Sequence, residues 1–97
     1  MTKKEKYYIV RTYSAGVFAG NIKKREGREV TMTNVRRIWY WDGAASLSQM
    51  ALSGVSKPEN CKFSVTNVEL LVLEAIEIIT CTEEAEKNIK GVPEWKK

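Results

Sequence analysis

From Tyr7 to Trp41 the chain is a succession of β-branched and aromatic runs joined by links of only a few residues. Parallel strands need a crossover of roughly a dozen residues or more, so links this short force successive strands to run antiparallel. Residues 7–13, 17–22, 29–32 and 35–41 read as strands. Ser14-Ala15-Gly16, Arg25-Glu26-Gly27-Arg28 and Thr33-Asn34 supply the turns between them. Gly20, inside the second run, marks a bulge or a close backbone approach.

Beyond Trp41 the pattern changes. Asp42 is a good N-cap, and Leu47, Met50 and Ala51 recur at helical spacing up to Gly54, which predicts a short helix entered through Gly43, Ala44 and Ala45. Residues 55–60 form a loop, and residues 61–68 alternate as a strand does. Residues 69–80 begin with helix formers and end β-branched, and they read as one bent or bulged strand. Thr82 then caps a second helix, with Glu83 and Glu84 in its first turn, Lys87 and Lys90 near its end, and Gly91 and Pro93 to stop it. The expected fold is α+β: a mostly antiparallel sheet of about five to six strands with two short helices. Residues 1–6 form a polar tail, and residues 7–97 form one domain, because 97 residues leave no room for a second core.

The residue inventory excludes several chemistries. With no histidine, neither a Ser-His-Asp triad nor a histidine metal site can form within one chain. Cys61 and Cys81 alone cannot hold zinc, and with no apolar leader to carry them to an oxidising compartment they are expected to stay reduced. Glu74 and Glu77 do not share a strand face, so no acid pair for catalysis is visible. The apolar stretch at residues 68–79 is broken by Glu69, Glu74 and Glu77, which argues against a membrane span. A non-enzymatic, cytoplasmic protein without cofactor or metal is expected.

Charge and aromatic placement suggest what it binds. Residues 1–37 hold ten basic and three acidic side chains, whereas residues 38–97 hold six and nine. A basic half favours an anionic partner. On the strand 35–41, Arg37, Trp39 and Trp41 alternate with Arg36, Ile38 and Tyr40, so either face carries an arginine beside a large aromatic. An indole stacks on a base and a guanidinium forks onto a phosphate. The helix entrance that follows offers Ser46 and Ser48 as further donors, and Arg11 and Tyr13 share a face of the first strand. Arg11, Tyr13, Arg36, Arg37, Trp39, Trp41, Ser46 and Ser48 are therefore the candidate ligand-binding residues. The same side chains also suit core and edge packing, and Asp42 can occupy the helix entrance itself.

The segments Tyr8-Ile9-Val10-Arg11-Thr12-Tyr13-Ser14-Ala15-Gly16-Val17-Phe18-Ala19-Gly20 and Arg36-Arg37-Ile38-Trp39-Tyr40-Trp41-Asp42-Gly43-Ala44-Ala45-Ser46-Leu47-Ser48-Gln49 resemble a family of small phage and prophage proteins of unknown function. The likeness runs from Tyr7 to about Trp95. What it implies is a phage setting, in which small accessory proteins often counter host defence. By analogy of setting, the expected role is sequestration of a nucleotide immune signal, of cyclic dinucleotide or cyclic ADP-ribose type, by a homo-oligomer in the host cytoplasm. The alternative is an accessory protein that binds nucleic acid or inhibits a host protein.

Overall fold

The computed structural model describes residues 5–95. Of the expected polar tail, residues 1–4 lie outside the described residues, while Glu5 and Lys6 are exposed and irregular. Strands β1 (Tyr7–Thr12), β2 (Val17–Glu26) and β3 (Glu29–Tyr40) form the antiparallel meander. Helix α1 (Leu47–Ser53) and one 3-10 turn (Pro58–Asn60) follow. Strands β4 (Lys62–Phe63), β5 (Asn67–Val72) and β6 (Ala75–Thr80), then helix α2 (Glu83–Lys90), complete the chain. The α+β class holds, with six strands in one mostly antiparallel sheet and two helices among the described residues.

The topology dictates the sheet's shape. The order is β4-β3-β2-β1-β6, and β5 also pairs with β3, along Val30–Val35. β5 and β6 thus attach to opposite sides of the meander, yet Leu73 and Glu74 alone join them. Three peptide steps reach at most about 11 Å. A flat sheet would set β5 and β6 about 19 Å apart, four strand spacings of roughly 4.8 Å. The sheet must therefore curl over itself, and the link is anchored at both sides: Ala75 N–H donates to Arg28 O and Tyr13 N–H to Glu74 O.

Curling gives each face of the sheet its own core. Tyr7, Ile9, Ala19, Ile38 and Phe63 pack beneath the helices against Met50, Ala51, Val55 and Ile89. Val10, Phe18, Val30, Met32, Val35 and Val72 fill the inside of the curl. β1 serves both, which is why Ile9 and Val10 are both fully buried.

Two features of β3 correct the sequence expectation. Thr33-Asn34 is not a turn; β3 runs through it, with Asn34 in the left-handed region at φ 49°. Ala19 pairs with Arg36 and Asn21 with Thr33, so β3 carries one extra residue opposite Gly20. Gly20 is the close-approach point: a Cβ there would sit 2.9 Å from Thr33 O and Val35 Cα. The extra residue shifts the alternation of faces. Val35 takes the inward place inside the curl, and Arg36 turns toward the helices.

Three other expectations change. Residues 69–80 are not one bent strand but β5 and β6, parted at Glu74, which adopts φ 56°. Residues 61–68 are not one continuous strand either, because pairing breaks at residues 64–66. The third change, the start of α1, bears directly on the candidate site.

Candidate functional site

Helix α1 begins at Leu47, four residues later than Asp42 would cap it. Ser46 is the N-cap: its hydroxyl accepts from Gln49 N–H, and Gln49 Oε1 accepts from Ala45 N–H. Ser46 is thus spent on its own helix, and the open entrance expected at Gly43, Ala44 and Ala45 does not form. Asp42 instead holds the 3-10 turn, accepting from Asn60 Nδ2 at 3.1 Å. Trp41 leaves the strand, packs against the helix-side core and donates its indole N–H to Ala44 O at 3.2 Å. Ser48 is exposed on α1.

Arg36 is a structural residue. It is 2% exposed, its Nε donates to Ser64 O and its Nη1 to Ile89 O, both at 2.8 Å, and its guanidinium lies 5.3 Å from the Phe63 ring centroid. It therefore bolts the last turn of α2, where carbonyls lack helical partners, to the break after β4. Burial lowers its pKa from the ordinary arginine value, opposed by the neighbouring Tyr7 and Glu94. Arg37 faces the other way, with its guanidinium 4.9 Å from the Phe18 ring centroid and its backbone N–H on Ser64 Oγ. Arg11 pairs with Glu77 at 3.1 Å and registers through Val17 with Ile38, on the helix side of the sheet. Tyr13 stands 77% exposed in the β1–β2 link. The eight candidate residues therefore do not converge on one cavity.

What does converge is an aromatic surface at the sheet's β4 edge. Ile38 pairs with Phe63 and Tyr40 with Lys62, so two β3 residues, Trp39 and Tyr40, oppose the single Lys62. After α2 the chain returns to this edge. Glu94 bridges Phe63 in parallel, and Trp95 N–H donates to Phe63 O at 2.8 Å. Trp95 meets Trp39 edge to face, ring centroids 5.2 Å apart, with the Lys62 ammonium 5.3 Å from the Trp95 centroid. Trp39, Tyr40 and Trp95 remain 51%, 53% and 44% exposed and so form an apolar patch open to solvent.

Of the expected ligand-binding residues, Trp39 belongs to this patch and Arg37 shares its side of β3. Lys62 and Trp95 join the patch unforeseen from the sequence. The signal available for Trp95 was a tryptophan beyond a helix stop, in a segment with no apolar period to bury it.

Grooves of about 80, 240 and 360 Å³ lie elsewhere, and none is lined by Arg36, Arg37, Trp39 or Ser46. The largest runs beside Tyr7, Cys81 and Glu86. There burial, reinforced by Glu86, pushes the Cys81 thiol up to about 12, and burial likewise raises the Tyr7 phenol above its ordinary value. Unfolded, the thiol would lose its proton near 9.0. Above that pH the unfolded state binds fewer protons than the folded one, so stability falls as pH rises from about 9 toward 12. Urea titrations across that window, followed by circular dichroism, should show a falling midpoint.

Among the described residues no helix is long and apolar enough to cross a membrane, and no group of three or more His, Cys, Asp or Glu side chains comes together to hold a metal ion. No curated protein and no solved structure matches the chain. A family model described as "Domain of unknown function (DUF6948)" matches residues 5–89.

Proposed function

The chain belongs to that DUF6948 family, whose description assigns no chemistry, and from its residues we propose that it is a non-enzymatic module that binds single-stranded nucleic acid. The observation that carries this reading is the half-exposed Trp39–Trp95 pair with Tyr40 beside it and the Lys62 ammonium over one ring. Unpaired bases offer open π-faces that stack on such rings, and a neighbouring cation meets the phosphate between them. A duplex hides those faces, so the surface favours single strands.

Sequestration of a phosphorylated small molecule in a phage setting is a narrower version of the same chemistry, with one base on an indole and one phosphate on Lys62. It has less support. A trap needs a concavity, and Arg36 and Ser46, which were to line it, make structural hydrogen bonds instead.

Titration of tryptophan fluorescence with oligothymidylate tests the proposal, with cyclic dinucleotides and ADP-ribose derivatives as comparators. Trp39→Ala and Trp95→Ala should each weaken oligonucleotide binding by about 1–3 kcal/mol, the worth of one stacked base. Lys62→Ala should lower the slope of log K against log salt by about one. Tighter binding of a cyclic dinucleotide than of the oligomer would favour the narrower reading. Equal affinity in wild type and both tryptophan variants would exclude the patch from either role.

A further inference from the structure

Strand β5 closes one side of the curled sheet and, among the described residues, pairs with β3 alone. Its other edge leaves a row of backbone N–H and C=O groups without a strand partner. Natural edges are usually blunted by lysine, proline or a bulge. Asn67-Val68-Glu69-Leu70-Leu71-Val72 contains no lysine or proline, and no register shift interrupts its ladder with β3. The surroundings are apolar as well. Val65, Val68, Leu71 and Leu73 are exposed within this strand and its flanks, Val68 by 86%. Scattered single residues of this kind mean little, but a run of them along one unpaired edge marks a contact surface.

We propose that this edge is a self-association surface, on which β5 of a second copy adds antiparallel to make one sheet continuous across a two-fold axis. Unpaired ladder groups call for a strand, and the sequence of β5 makes that strand its own complement. With the axis at Leu70, Val68 lies opposite Val72 of the second copy, Leu70 opposite Leu70, and Glu69 opposite Leu71. No glutamate then faces its own copy, and each Glu69 is already held by Lys23 at 3.2 Å. The joined edge is thus apolar and charge-balanced, which suits two identical partners better than a charged peptide. This inference does not depend on the nucleic-acid reading.

Sedimentation equilibrium of the full chain over a concentration series tests it. The expected result is a reversible dimer whose Kd rises on the order of tenfold or more in Val68→Lys and Leu71→Lys, because each substitution sets two charges at the shared edge. Both positions are exposed, so the variants should keep the wild-type circular dichroism spectrum. Ile76→Lys, on β6, should leave the Kd unchanged. In hydrogen exchange, alternate β5 amides should gain protection as concentration rises. A monomer at every concentration, or a dimer with the same Kd in both β5 variants, overturns the proposal.

Discussion

Arg36→Ala is expected to destabilise the protein by about 3–5 kcal/mol. The substitution empties a side-chain volume in the core beneath α2 and leaves Ser64 O and Ile89 O without the guanidinium that reaches both. A domain of this length has roughly 5–15 kcal/mol of stability in all, so the loss is a large fraction of it. At about 4–8 °C per kcal/mol, the melting temperature should drop by about 12 °C or more. Arg36→Met should recover part of the loss, since an unbranched chain refills the volume without serving the carbonyls. Arg36→Lys should fall short too, because a single ammonium cannot reproduce a fork that reaches two oxygens. Thermal denaturation followed by circular dichroism checks all three. Were Arg36 instead a ligand-binding residue free in solvent, alanine would leave the melting temperature where it is.

The second large effect is expected at Gly54, where α1 ends. Its backbone, at φ 77° and ψ −154°, lies in a region that residues with a Cβ scarcely occupy. A Cβ there would also overlap the side-chain amide of Asn88. That amide clasps the two helices: Asn88 Oδ1 accepts from Val55 N–H at 2.8 Å, and Nδ2 donates to Val55 O at 2.9 Å. Gly54→Ala should therefore cost about 2–4 kcal/mol, from backbone strain together with displaced hydrogen bonds. Asn88→Ala should cost about 1–3 kcal/mol by releasing the same clasp. The double variant should cost less than the two losses added together, since both act through one contact. Chemical denaturation of the two single variants and the double variant measures this.

Much of the fold was legible because short links and β-branched runs allow little else. β1, the β2–β3 hairpin and the whole of α2, with Thr82 accepting from Ala85 N–H as its cap, follow from local patterns. What was not legible depends on long-range pairing. Asn34 looks like a turn residue, and its left-handed backbone is real, but the meander absorbs it as a bulge. That bulge decides which face Arg36 joins, and so whether it is ligand or bolt. Asp42 and Ser46 are both good caps by composition; Gln49, three residues after Ser46, decides between them through its bond to Ala45. Glu74 gives no sequence signal for the left-handed hinge that parts β5 from β6. The aromatic patch was half visible. Trp39 could be read from its strand, whereas Lys62 and Trp95 reach it only through β4 and the returning C-terminal segment.

The three tryptophans allow one direct measurement. Trp41 donates its indole N–H to Ala44 O and packs against the helix-side core, whereas Trp39 and Trp95 meet on the open surface. In a nitrogen–proton correlation spectrum, adding oligothymidylate should move the indole signals of Trp39 and Trp95 together, along with the Lys62 amide, and leave that of Trp41 in place. If the two surface signals stay fixed at saturating oligomer, or if the Trp41 signal moves while they do not, single-stranded nucleic acid does not bind at this patch.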